Sequence, residues 1–155
     1  MSAHSKRVIA PVTIGDSRAL ARLHAMAFPG DAWTKTTIEG LFGMAGVGGL
    51  LATGAEGPRG FILIRRVADE AEILTLAVHL KSRRQGIGAI LLTAAMEQLR
   101  ADQVDVLHLE VGADNLAAIA LYEAQNFMRS GLRRGYYQRA EGLVDAVLMQ
   151  RPLQA

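Results

Sequence analysis

The chain has 155 residues, half of them hydrophobic and 21% charged, with a formal net charge of +2; one domain over 1–155 with its own core is expected, not a disordered or fibrous polymer. The lack of cysteine excludes disulfide staples, thiolate metal sites and a cysteine nucleophile, and the basic residues sit in local clusters that make no case for nucleic acid. No apolar h-region follows the start MSAHSKR, and no apolar run approaches the roughly 20 residues of a membrane span, so a cytoplasmic protein without membrane contact is expected.

Val8–Ile14 alternates loosely and reads as a first strand. Asp16 or Ser17 then caps a helix with Ala19, Leu20, Leu23 and Ala27 at helical spacing, and Phe28-Pro29-Gly30-Asp31 ends it. Thr34 or Thr36 opens a short second helix through Ile38, Leu41 and Phe42. Strands follow at Val47–Thr53, Arg59–Val67 and Glu72–Val78, with turns at Gly54–Pro58 and Asp69-Glu70. The helix Gly86–Arg100 carries Ile87, Ile90, Leu91, Ala94, Ala95 and Leu99 on one face. Then come a strand Val104–Val111, a short helix Asn115–Ala124, and strands near Phe127–Gly131 and Leu143–Gln150. The order β-α-α-β-β-β-α-β-α-β-β implies an α/β fold with a mixed sheet.

The segment Lys81–Gly88, K-S-R-R-Q-G-I-G, lies between the strand ending at Val78 and the long helix. Two glycines at a helix start let the backbone approach a ligand and leave N–H groups unpaired, while Lys81, Arg83 and Arg84 attract negative charge. A tight packing point beside a solvated basic loop is the competing explanation. The turn lacks the G-x-x-x-x-G-K-[ST] pattern of nucleotide hydrolases and the G-x-G-x-x-G order of dinucleotide folds. No pair or triad among His4, His24, His79 and His108 has metal-ligand character, and His24 makes no case for a site.

Arg83-Arg84-Gln85-Gly86-Ile87-Gly88 resembles the R/Q-x-x-G-x-G/A signature of the GCN5-related N-acetyltransferases (GNAT). Leu109–Phe127 closely resembles the matching block of the RimI subfamily, the bacterial ribosomal-protein-alanine N-acetyltransferases. So does the tail Arg133-Arg134-Gly135-Tyr136-Tyr137 with Glu141-Gly142 and Asp145-Ala146. Phe28-Pro29 and Trp33 resemble the subfamily's first-helix loop, with Gly30-Asp31-Ala32 as a small insertion. Asn126 stands where the family has glycine, and asparagine also tolerates a left-handed backbone. The resemblance implies a mostly antiparallel twisted sheet flanked by helices, and acetyl-coenzyme A as cosubstrate. It places the pyrophosphate on Arg83, Arg84, Gln85, Gly86, Ile87, Gly88 and Ala89. A bulged strand at Leu76, Ala77 and Val78 would hold the pantetheine arm, with Asn115 beside it. The sheet should splay between Leu76–Val78 and Leu109–Val111.

Amide formation from a thioester needs a neutral amine, a donor to the oxyanion and a proton for the departing thiolate. With no cysteine and no nucleophile-elbow serine, direct attack is the simpler route. Glu110 shares a strand face with Val106 and His108; desolvation there suits a base, and His108 is the neighbour placed to share its water. The alternative is a strand-end carboxylate meeting solvent or Arg84. The resemblance makes Glu110 the general base, acting through water, and Tyr122 the proton donor to the sulfur. Tyr122 lies two helical turns from Asn115, and its alternative is half-buried packing. Phe28, Pro29 and Trp33 would line one side of a peptide cleft with Glu110, and Tyr136 and Tyr137 the other. Only one of those adjacent tyrosines faces the peptide if the strand is regular, and Trp33 has core packing as its alternative. Glu141 and Asp145 are placed to attract a basic substrate tail. The implied acceptor is a protein N-terminus, that of ribosomal protein bS18 with its N-terminal alanine. Another N-terminus, a small-molecule amine, or a catalytically silent coenzyme- or partner-binding module are the alternatives. A weak homodimer and a stimulatory partner both stay open.

Overall fold

A computed structural model describes residues 7–155; His4 and the basic start of the chain lie outside the described residues. The strands are β1 (Val8–Pro11), β2 (Val47–Gly54), β3 (Gly57–Val67), β4 (Glu70–Val78), β5 (Val106–Gly112), β6 (Met128–Arg139) and β7 (Gly142–Pro152). The helices are α1 (Ser17–Ala27), α2 (Lys35–Phe42), α3 (Ile87–Ala101) and α4 (Leu116–Ala124). The strands form one sheet in the order β1-β2-β3-β4-β5-β7-β6. Every pairing is antiparallel except β4 with β5. This is the mixed, mostly antiparallel sheet flanked by helices that the sequence implied.

Local chemistry moved several boundaries. β1 stops at Pro11, not Ile14, because Thr13 and Asp16 form a reciprocal cap, the Thr13 amide donating to Asp16 Oδ2 at 2.8 Å. That cap winds Ile14–Asp16 into a 3₁₀ turn. Asp16 is engaged there and Ser17 Oγ donates to the Ile14 carbonyl, so neither side chain caps α1. Thr34 does cap α2, its Oγ1 accepting from the Thr37 amide at 3.1 Å. β6 and β7 run well beyond the predicted strands, since the charged stretch Arg129–Arg134 forms an exposed edge strand without alternation. Asn126 has φ +67°, the left-handed backbone expected of it.

The sheet separates two cores. Leu20, Leu23 and Ile38 of the first two helices pack on Leu51, Phe61, Leu63 and Ala77. On the other face, α3 and α4 cover Ile62, Ile73, Leu107, Leu109 and Met149. The buried stripe of α3 is Ile87, Leu91, Leu92, Ala95, Met96 and Leu99. Ile90, expected inside, is 40% exposed, because Leu92 and Met96 widen the apolar surface of α3 and the packed face centres on Ala95, which leaves Ile90 at its edge.

One departure from regularity positions the site. Along β3 and β4, Leu63 pairs with Thr75 and Ile64 with Ile73, so Leu74 is an extra residue. The bulge therefore lies at Leu74, earlier than the predicted Leu76–Val78. It turns Thr75 and Ala77 toward the α1 side and leaves Leu76 and Val78 against α3 and α4. Parallel pairing of β4 with β5 ends at Ile73–Leu109, and the two strands continue as opposite walls of a cleft.

Candidate active site

The cleft has two connected parts. One is a groove of about 950 Å³ lined by Leu76, Val78, Arg83, Arg84, Gly86, Ile87, Gly88, Ala89 and Asn115. Its floor is the start of α3, where Gly86 takes φ +77° and open space lies where a Cβ would point. A Cβ on Gly88 would stand 3.1 Å from Leu121 Cδ2, so this glycine lets α3 and α4 approach. Arg84, with φ +65°, adds a second left-handed residue to the turn. The helix start and the Arg83 and Arg84 side chains present backbone N–H donors and positive charge to this groove, chemistry suited to an anion. Two residues of the predicted set do not line it. Ala77 is buried in the α1-side core, and Gln85 Nε2 donates to the Lys81 carbonyl at 3.4 Å. The Ile87 side chain, 1% exposed, belongs mainly to the core, so its backbone is the part offered to a ligand. Asn115 Oδ1 accepts from the Ala118 amide at 3.2 Å as the cap of α4, which leaves its amide nitrogen as donor to the groove.

The second part, about 320 Å³, is lined by Glu110, Tyr122, Tyr137, Phe28, Trp33, His24, Thr75, Asp31 and Arg139 among others. Pro29 lines the larger groove instead, and exposed Tyr136 lines neither part. Glu110 is on the strand face expected, but it is not an isolated desolvated group. Arg133 Nε donates to its Oε1 at 2.9 Å, and 22% of its side chain stays exposed. Its ionic partner is therefore Arg133 rather than Arg84, across β7 from the edge strand. His108 points to Glu70, 3.3 Å away, and does not join Glu110. Asp145 Oδ1 accepts from the Gly135 amide at 2.8 Å, bracing the irregular middle of β6 rather than facing a substrate tail.

Tyr122 is 6% exposed, edge-on to Phe127 at 5.5 Å, and lines both parts of the cleft. Burial, with Tyr137 nearby, pushes its pKa above the ordinary phenol value. Tyr137 is also pushed up, by burial and then by Glu110, so these three groups share one neighbourhood. His24, dismissed on sequence, is 3% exposed within the same cleft. Its Nδ1 accepts from the Trp33 amide at 3.0 Å, and its ring stacks on Trp33 at 4.5 Å. Burial lowers its pKa to about 4 against the opposing pull of Asp31, so the ring is neutral with its proton on Nε2. The signal was present: His24 follows Leu20 by four residues and belongs to the inward stripe of α1. No such signal marked Asp31, Asp114 or Arg139.

Residues 21–127 match the acetyltransferase (GNAT) family. A Salmonella typhimurium protein, a [ribosomal protein bS18]-alanine N-acetyltransferase, is 37% identical over 129 residues, 83% of this chain and 84% of that one. The N-alpha-acetyltransferase RimI of Mycobacterium tuberculosis is 36% identical over 154 residues, covering 91% and 92%. The crystal structure of the ribosomal-protein-S18-alanine N-acetyltransferase from Escherichia coli superposes with a TM-score of 0.91 at 30% identity, over 97% of this chain and 96% of that one.

Proposed function

The chain belongs to the GNAT family of acetyl-coenzyme A-dependent acetyltransferases, and we propose that it acetylates the α-amino group of a protein N-terminus, the N-terminal alanine of ribosomal protein bS18. The observation that carries this reading is the divergence of β4 and β5 beyond Ile73–Leu109. It opens a path from the glycine turn to the group of Glu110, Tyr122 and Tyr137. Bound acetyl-coenzyme A supplies an acetyl thioester activated toward amines. In this reading Arg83, Arg84 and the amides of Gly86–Ala89 hold its pyrophosphate. The free edges of Leu76 and Val78, with Asn115, hold the arm.

Phe28, Trp33 and Tyr137 orient the acceptor, and Glu110 takes its ammonium proton through water while Arg133 fixes the carboxylate. An α-amine, with a pKa of about 8, loses that proton far more readily than a lysine. Tyr122 keeps its proton at every working pH, because burial raises its pKa. Its hydroxyl thus serves as hydrogen-bond donor to the departing sulfur. A wider range of N-termini is the second reading, favoured by the M. tuberculosis relative, whose name specifies no single acceptor. Incubation with acetyl-coenzyme A and peptides of varied first residue, with mass spectrometry of the products, tests both. The bS18 reading expects acetylation of the alanine peptide well above all others. Equal modification of many N-termini supports the second reading, and no α-amine product overturns both.

A further inference from the structure

We propose that Asp31 and Arg139 are positioning residues for the acceptor, joined in a clasp that holds the Phe28–Thr34 loop across the cleft; this rests on the acetyl-transfer reading above. Arg139, the last residue of β6, donates from Nη1 to Asp31 and from Nε to Asp114 Oδ2 at 3.1 Å. Its guanidinium lies over the Tyr137 ring, 4.8 Å from the centroid. One side chain thus ties the loop after α1, the turn before α4 and the end of the β6–β7 hairpin. The approach is close. A Cβ on Gly112 would stand 2.6 Å from Asp114 Oδ1 and 3.1 Å from Arg139 Nη2.

The clasp stands at a particular place. Asp31 and Arg139 line both the coenzyme groove and the acceptor part of the cleft, where the two spaces meet. Asp31 belongs to Gly30-Asp31-Ala32, which separates Pro29 from Trp33. Its loop is held from inside by the Trp33 amide on His24 and from across the cleft by Arg139. With the outer tie cut, Phe28 and Trp33 lose a fixed position as acceptor wall, while the glycine turn is untouched. The tie can be cut without unfolding the chain. Half-exposed ion pairs add little to global stability and are screened by salt.

Trp33, the only tryptophan, sits in the clasped loop and reports on it directly. The test compares wild type with Asp31→Asn, Arg139→Gln and the double variant. It measures acrylamide quenching of Trp33 fluorescence, steady-state kinetics with the acetylated peptide, and calorimetric binding of acetyl-coenzyme A. Each single variant is expected to raise quenching roughly twofold and the acceptor KM about fivefold, with kcat nearly kept and the coenzyme Kd moved less than KM, since both residues also line the coenzyme groove. The double variant should match Arg139→Gln, because the tie that Asp31→Asn removes is one of those that Arg139→Gln already removes. Wild type in 0.5 M salt, about three times the physiological ionic strength, should approach the variants. Unchanged quenching in all three variants, or additive effects on KM, overturns the clasp. Should wild type acetylate no amine, the transfer reading fails, while quenching still decides whether the clasp holds the loop.

Discussion

His24 offers a stability test that needs no substrate. In the folded chain its pKa is about 4, against 6.5 for an unperturbed histidine, because burial penalises the charged ring. The unfolded chain therefore takes up this proton first as pH falls. Stability is lost on acidification from about 6.5 and the loss is complete below about 4. At about 1.4 kcal/mol per pH unit, that interval corresponds to at most about 3.5 kcal/mol, of which about 2.5 is reached by pH 4.5. His24→Asn is the comparison, since asparagine Oδ1 falls near the position of Nδ1 and preserves an acceptor for the Trp33 amide. Urea unfolding of both proteins between pH 7.5 and 4.5 measures the difference. Carboxylates away from residue 24 contribute equally to both curves and cancel, which leaves Asp31 as the one coupled to the ring. Wild type should lose about 2–3 kcal/mol more than the variant over this range. Parallel stability profiles would refute a neutral, buried His24 as the anchor of the loop.

Other expectations follow from the same geometry. Tyr122→Phe keeps the edge-on contact with Phe127 and removes a hydroxyl that bonds to no described residue, so the melting temperature should hold within a degree or two while turnover at saturating coenzyme falls. Glu110→Gln preserves size and removes the proton acceptor; turnover should drop about 10²–10⁴-fold with coenzyme affinity nearly kept, read by single-turnover kinetics beside calorimetry. Arg83→Glu, in the groove, should weaken acetyl-coenzyme A binding strongly in calorimetry. Arg66→Glu, outside the groove, breaks the contacts with the Asp102 carboxylate and carbonyl and should leave that affinity unchanged.

What the sequence disclosed and what it withheld divide along physical lines. The order of elements was legible where a segment carries its own periodicity, as in α3, and least so in β6, whose exposed start has no alternation. The glycine turn was legible because Gly86 and Gly88 sit beside Arg83 at a strand-to-helix junction. Glu110 could be placed on a face by counting along β5, but its partner could not. Arg133 reaches it from the edge strand, two strands away in the sheet, through a register interrupted at two points. Arg139 and Asp31 are 108 positions apart, and nothing local in either segment requires the other. The bulge at Leu74 was offset for a related reason. It arises where β3 and β4 pair out of step, and pairing is a property of two strands rather than one. The inward side of His24 could be read from Leu20 and Leu23, but its bond to Trp33 depends on how the Pro29-Gly30 break folds back.

The most direct measurement uses one peptide in two forms with acetyl-coenzyme A. The first carries the bS18 N-terminal sequence with a free α-amine and an internal lysine; the second is identical except that the α-amine is blocked. Tandem mass spectrometry locates each added acetyl group. The account expects acetylation at the first residue of the free peptide and none on the blocked one. Acetyl on the lysine of both, or on neither, would contradict it.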